Sequence, residues 1–148
     1  MQDAPPLCPS ATLDGAPLDA APDGFGLRIT GLVGADGTVS NLRTPLPVDA
    51  AMRAALRGDD APERRFRFAA PCAAQGCGHW QAGGSGEASG QCGLIGRIRD
   101  HVAASGAAPD APPGLQPCAI RARCRWWRQD GAAACAVCTL VTYNAAEA

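Results

Sequence analysis

The cysteine distribution constrains this chain more than any other feature. Eight cysteines occur in 148 residues, and seven of them lie beyond residue 71. Large apolar residues are sparse, because Leu, Ile, Val and Phe together contribute only 24 residues. A core this thin needs additional stabilisation, which small domains commonly take from bound metal or disulfides. We therefore expect the cysteines to help hold the fold together.

The rest of the composition favours metal ligation over disulfides. The N-terminal residues lack the basic and apolar regions of a secretory signal, and no apolar run is long enough to span a membrane. We therefore expect a cytoplasmic protein without a membrane partner, whose thiols stay reduced; export by another route would restore the disulfide interpretation. The formal net charge of -1 argues against a generally basic nucleic-acid binder.

The sequence predicts an α+β protein in three parts. Residues 1–24 are rich in Pro and Ala and predict an irregular arm. Residues 25–70 predict a small ββαβ layer: two alternating strands, a short helix starting after Asp49, and a third strand at residues 65–68. We interpret this layer as a scaffold without chemistry. Residues 71–148 predict a cysteine-rich, mostly helical metal-binding region, interrupted by linkers at 81–90 and 103–117.

The last four cysteines form the most specific cluster. Their spacing is C-x5-C-x10-C-x2-C, and four thiols this close in sequence suffice to enclose a soft metal or an iron–sulfur cluster. We predict that they ligate one cluster: Cys118, Cys124, Cys135 and Cys138.

A second set precedes it, with the spacing C-x4-C-x14-C. Cys72, Cys77 and Cys92 predict a second metal centre, with His79 favoured as the fourth ligand. Cys8 is the alternative fourth ligand, although an isolated cysteine is more often a small apolar residue. The two sets resemble each other, since each opens with Pro-Cys and has a second Cys followed closely by Trp. We interpret this as a weak internal duplication.

Spacing and surroundings favour an iron–sulfur cluster over zinc. Structural zinc sites usually take their ligands from two short C-x2–4-C knuckles, and only Cys135 and Cys138 form a typical one here. The wider gaps suit a larger object, and nearby Trp and aliphatic residues would exclude water from it. We expect one or two clusters, with [4Fe–4S] favoured over [2Fe–2S]; Zn²⁺ is the alternative, and absence of metal is a third.

A basic and aromatic segment lies inside the last cluster. It contains Arg121, Arg123, Arg125, Trp126, Trp127 and Arg128. Such a segment could bind single-stranded nucleic acid. We favour instead an interaction of the arginines with a negatively charged thiolate cluster, because the remaining charge is balanced. Docking of an acidic partner is a further interpretation.

Two short motifs carry a resemblance. Cys77-Gly78-His79-Trp80 (C-x-H-W) and Cys124-Arg125-Trp126-Trp127 (C-R-W-W) resemble stretches of small bacterial cysteine-rich proteins, over the second half of the chain only. That resemblance implies no fold, activity or partner. The spacing differs from the common ferredoxin patterns, so an ordinary ferredoxin is not expected.

Together these features predict an iron–sulfur protein rather than an enzyme. No recognisable catalytic arrangement is present, and the cysteines are accounted for as ligands. The expected role is electron transfer, or a redox accessory subunit of a larger enzyme. The alternatives are a zinc-stabilised module whose Arg/Trp face binds protein or nucleic acid, and a redox or metal sensor that unfolds when it loses its cluster.

Overall fold

The chain is a mixed α+β protein built on a four-stranded antiparallel sheet. The computed structural model describes residues 6–15, 26–35, 37–58, 61–74, 77–82, 90–105 and 116–140. The sheet strands follow the order β1-β4-β2-β3, with these bounds: β1 Leu7–Ala11, β2 Arg28–Val33, β3 Val39–Pro47 and β4 Phe66–Pro71. Helix α1 (Ala50–Leu56) and a 3₁₀ turn (Pro62–Arg64) connect β3 to β4.

Strand β1 lies within the segment that the sequence predicts to be an irregular arm. It pairs with β4, Leu7 opposite Pro71 and Cys8 opposite Ala70, and so forms one edge of the sheet. The two prolines within Leu7–Ala11 or beside it do not prevent this pairing, because an edge strand needs hydrogen bonds on one side only. Residues 1–5 and 16–24 of the predicted arm, and most of both predicted linkers (83–89 and 106–115), lie outside the described residues.

The other predicted elements of this layer lie close to the expected positions. The Asp49 side chain accepts a hydrogen bond from the backbone N–H of Met52 at 2.8 Å, which confirms the predicted start of α1. In the sequence, Pro45 and Pro47 predict the end of the second strand of this layer, but β3 continues through both. The reason is its position at the other edge of the sheet, where a missing N–H costs little.

The second part of the fold consists of a short hairpin and three helices. Its bounds are β5 Trp80–Gln81, β6 Gln91–Cys92, α2 Gly93–Ser105, a 3₁₀ turn Arg121–Arg123, α3 Arg125–Asp130 and α4 Ala132–Cys138. In the sequence, the spacing of the apolar residues in 92–102 predicts a helix with one apolar face. The structure confirms this face in α2, since its residues are buried: Leu94, Ile95, Ile98 and Val102. They pack with Trp126 and Val137 of α3 and α4.

Three apolar clusters organise the interior. One lies between the sheet and α1 and contains Leu27, Ile29 and Phe68. The second is the α2–α3–α4 cluster, and Cys124 belongs to it. A small third cluster of Leu7, Ala69 and Ile120 joins the sheet to the helical part, with Cys118 packed against it. No helix within the described part of the chain is long and apolar enough to cross a membrane.

Candidate metal centres

The last four cysteines surround one cavity between the sheet and the helical part. Cys118 precedes the second 3₁₀ turn, Cys124 follows it, and Cys135 and Cys138 both lie on α4. All four line the same cavity, whose other walls include Ile120, Trp126 and Trp127. We call these four residues the C-terminal thiol set. The structure therefore brings together the residues that the sequence predicts as ligands of one cluster.

Burial controls the protonation of this set. It raises the pKa of the Cys124 thiol to about 11 and also raises the pKa of Cys138. Cys124 is the N-cap of α3; its side chain makes no capping hydrogen bond, yet the backbone N–H groups of Trp127 and Trp126 lower its pKa. Neighbouring cysteines raise both pKa values further by charge repulsion, which shows that the set is electrostatically coupled.

One sheet residue reaches into the set. The Arg67 guanidinium on β4 donates hydrogen bonds to Sγ of Cys138 at 2.8 Å and to the carbonyl oxygen of the same residue at 2.5 Å. Its positive charge lowers the pKa of Cys138 and opposes the effect of burial. A hydrogen bond to the charged form is strong in a desolvated site, so Arg67 favours a thiolate at this position.

Trp126 adds a second donor on the same wall. Its side chain is 2% exposed, and its indole Nε1 is buried without a hydrogen-bond partner among the described residues. A buried N–H without a partner costs about 1–3 kcal/mol. A thiolate or sulfide acceptor in the cavity would satisfy it, because sulfur coordinated to metal accepts hydrogen bonds. The donor chemistry of this site therefore fits a sulfur-rich metal group.

The other four cysteines converge at the β1 edge of the sheet. Cys8 lies on β1, Cys72 directly follows β4, Cys77 lies in the following turn, and Cys92 ends β6. The backbone N–H of Cys72 donates to the carbonyl of Pro6 at 2.8 Å, which continues the β1–β4 pairing to this residue. We call Cys8, Cys72, Cys77 and Cys92 the sheet-edge thiol set.

The four thiols of this set interact electrostatically, and two of them also accept local hydrogen bonds. Burial raises the pKa of the Cys8 thiol to about 12, and charge repulsion from Cys72, Cys92 and Cys77 contributes in the same direction. Two backbone N–H groups donate to sulfur at 3.4 Å: that of Ala74 to Cys72 and that of His79 to Cys77. Each of these two contacts lies within one turn and fixes the position of its sulfur atom relative to the backbone.

His79, the fourth ligand favoured by the sequence, has a different contact. Its Nδ1 accepts a hydrogen bond from the guanidinium of Arg97 on α2. Burial and then the positive charge of Arg97 lower the pKa of His79, so the ring is neutral. The structure places Cys8 with the three predicted cysteines and places the His79 ring against Arg97.

All eight cysteines are free thiols. Across the described residues, no three His, Cys, Asp or Glu side chains are close enough to hold a single metal ion as they stand. Four thiolates around one zinc ion lie roughly 2.3 Å from it, so either set would have to contract to enclose a single ion. An iron–sulfur cluster has its iron atoms at separate corners, so its four thiolate ligands lie further apart and the set would have to contract less.

Sequence reasoning missed the contacts of Arg67 and of the Trp126 indole, and it gave Cys8 only as the alternative fourth ligand. Arg67 belongs to a predicted scaffold strand, and nothing in the alternation of residues 65–68 indicates a contact with Cys138. The Pro-rich surroundings of Cys8 conceal the edge strand that positions it. The buried indole N–H of Trp126 could have been suspected only from its place two residues after Cys124.

Comparisons with known proteins add no relative to this description. No protein family, no curated protein and no solved structure matches the chain.

Proposed function

We propose that this chain is a cytoplasmic iron–sulfur protein that carries electrons, or serves as a redox accessory subunit of a larger enzyme. Its two clusters would be of the [4Fe–4S] type, held by a helical cysteine-rich region that follows a ββαβ layer. One observation carries the proposal: Cys118, Cys124, Cys135 and Cys138 are free thiols that line the same cavity. Four cysteine ligands are what each iron–sulfur cluster requires.

The surroundings of the C-terminal thiol set support a cluster. Burial keeps water away, and the walls offer a cationic donor from Arg67 and a neutral donor from Trp126. A cluster held by four thiolates carries negative charge, which such donors stabilise, and hydrogen bonds to its sulfurs set its potential. When bound, the cluster would supply a site that accepts and releases single electrons.

The first test is the metal content of protein purified without oxygen. We expect a brown protein with a broad absorption band near ~400 nm and about eight iron and eight sulfide per chain. Iron, sulfide and zinc are to be quantified on the same sample. A colourless protein that contains zinc and no sulfide would overturn the iron–sulfur proposal.

The ligand assignment is tested by Cys124→Ser, with Ala136→Ser on α4 as the matched control. Serine is a preferred N-cap residue, so α3 keeps a suitable start when the thiol is removed. We expect the C-terminal thiol set to lose its iron and sulfide while helix content measured by circular dichroism stays the same. Ala136→Ser adds a hydroxyl to the same part of the fold and removes no thiol, and it should keep the full metal content. Full metal content in Cys124→Ser would contradict the assignment.

A zinc-stabilised interaction module is the second candidate. It is favoured by the C-x2-C pair on α4 and by half-buried arginines that lie beside aromatic rings. Arg125 stacks on Trp80 at 5.0 Å and Arg121 on Trp127 at 5.7 Å, whereas Trp126 is buried and lies outside any such face. Zinc in the metal analysis, together with a salt-sensitive gel shift on single-stranded nucleic acid, would favour this candidate.

A further inference from the structure

Strand β1 separates the two thiol sets and contacts both. Successive residues of a strand point to opposite faces. Leu7 packs with Ile120 beside Cys118, and Pro9 lines the cavity of the C-terminal thiol set. Cys8 lies between them on the opposite face, with the sheet-edge thiol set. The strand therefore presents alternate residues to the two candidate centres.

We propose that the Cys8 thiolate, and not His79, is the fourth ligand of the sheet-edge centre, and that β1 thereby holds two four-cysteine centres side by side. This inference rests on the proposed function in requiring metal at both sets. It goes beyond it by assigning a ligand from the N-terminal segment and by placing the centres as neighbours.

The strand register positions Cys8 as a ligand. Cys8 is paired with Ala70, and Cys72 lies two residues beyond Ala70 on the same continued pairing. Cys8 and Cys72 are therefore diagonal neighbours on one face, where side chains are about 7–8 Å apart or less. Cys77 and Cys92 belong to the adjoining hairpin, because Cys92 is paired with Trp80 and the backbone N–H of Trp80 donates to the carbonyl of Cys77 at 3.1 Å.

His79 is unsuited to ligation by its contact with Arg97. An arginine guanidinium only donates hydrogen bonds, so Nδ1 of His79 must be the acceptor. The ring is neutral, and its single proton then resides on Nε2. Neither ring nitrogen has a lone pair available for a metal unless this contact breaks.

Two connections keep the centres close. Leu7, adjacent to Cys8, forms a parallel bridge with Cys124. Bridged residues are about 4.8 Å apart and consecutive Cα atoms about 3.8 Å, so the Cα atoms of Cys8 and Cys124 lie within roughly 9 Å. Gln129 on α3 also makes two hydrogen bonds with the backbone of Cys92, accepting from its N–H at 2.8 Å and donating to its carbonyl at 2.9 Å.

The experiment compares Cys8→Ser with His79→Asn in the full chain, with Ala11→Ser on β1 as the control. Iron, sulfide and zinc per chain are measured, and the electron paramagnetic resonance spectrum is recorded after reduction with dithionite. We expect Cys8→Ser to lose half of the bound metal, whereas His79→Asn and Ala11→Ser keep all of it. The wild-type spectrum should show splitting or broadening from two neighbouring paramagnetic centres, and Cys8→Ser should show one unsplit signal.

Separate outcomes test the ligand assignment and the proposed function. Half of the metal lost in His79→Asn with none lost in Cys8→Ser would overturn the ligand assignment while leaving the iron–sulfur proposal intact. Zinc in place of iron would overturn the iron–sulfur proposal, and a fall from two zinc ions to one in Cys8→Ser would still support the assignment. Cys8→Ala, which places no hydroxyl in this buried position, repeats the measurement if the serine variant fails to fold; full metal content in it would overturn the assignment.

Discussion

The two thiol sets are assembled in different ways. The C-terminal set comes from residues 118–138, which form two short helices and a turn, whereas the sheet-edge set gathers residues from position 8 to position 92. Closing a longer loop costs more entropy, although the cost grows only slowly with length. The sheet-edge set avoids part of this cost, because β1, β4 and their pairing bring Cys8 and Cys72 together without metal.

This contrast suggests a division of labour. At the sheet edge, the strand pairing positions the proposed ligands, and metal would attach the N-terminal strand to them. At the C-terminal set, short helices of six and seven residues hold the ligands. Isolated helices of this length are unstable in water, so metal has more to contribute to their order.

Removal of metal is the largest perturbation and tests this division directly. Structural metal binding contributes on the order of 10 kcal/mol in small metal-dependent domains, which rivals the whole stability of a domain. We expect α3 and α4 to lose most of their amide protection after chelation, while β2 and β4, which share a separate apolar cluster, keep theirs. Hydrogen–deuterium exchange on loaded and metal-free protein measures this. Unchanged protection of α3 and α4 would show that these helices do not depend on metal.

Acidification should release metal from both sets. The pKa values of Cys8 and Cys124, about 12 and about 11, lie above the ordinary thiol value, so both thiols are protonated at neutral pH without metal. Because metal binding must displace those protons, the affinity for metal falls as the pH is lowered below these pKa values. Each expelled proton contributes about tenfold per pH unit, so Cys8 contributes about tenfold at the sheet edge, and Cys124 with Cys138 contribute up to about 100-fold at the C-terminal set. The iron and sulfide that the loaded protein retains after incubation at pH 8, 7 and 6 measure this, and equal retention at all three would contradict it.

A core substitution in the sheet separates the two sets. Phe68 is 1% exposed and lies on β4, opposite Ala11 of β1 and Ile29 of β2. Phe68→Ala should destabilise the chain by about 3–5 kcal/mol and loosen the pairing that positions Cys8 and Cys72. We expect metal affinity to fall at the sheet-edge set more than at the C-terminal set. Leu56→Ala, on α1 against the same cluster, is the control that leaves the strand pairing intact. A larger loss at the C-terminal set would reverse the proposed dependence.

Local patterns predict much of the fold and little of the ligand geometry. The apolar spacing of α2 and the Asp49 cap are local signals, and both are confirmed. The edge strand around Cys8 has no such signal, because its partner strand β4 lies about sixty residues further along the chain. The register between β1 and β4 depends on the packing of the whole sheet. The grouping of the last four cysteines follows from their closeness in sequence, whereas the place of Cys8 depends on tertiary structure.

Arg67 is the clearest case of a residue whose position in the fold could not be inferred from the sequence. In its strand, polar and apolar residues alternate as in any half-buried strand. Only the packing of the end of α4 against the sheet brings the Arg67 guanidinium to Cys138. The C-terminal set therefore depends on a residue outside 118–138, because Arg67, which donates hydrogen bonds to Cys138, comes from the sheet.

Arg67→Met is the smallest of these perturbations and tests that last connection. The substitution keeps an unbranched side chain and removes the charged donor, so the pKa of Cys138 should rise and its thiolate should become harder to form. Loss of a group that supports a metal ligand typically lowers affinity 10–100-fold, and we expect this range at the C-terminal set with little change at the sheet edge. Arg65→Met removes the same charge from an exposed residue that stacks on Phe66, and it should leave both affinities unchanged. Equal effects of the two substitutions would indicate general electrostatics, whereas a selective effect of Arg67→Met would show that the sheet supports both centres.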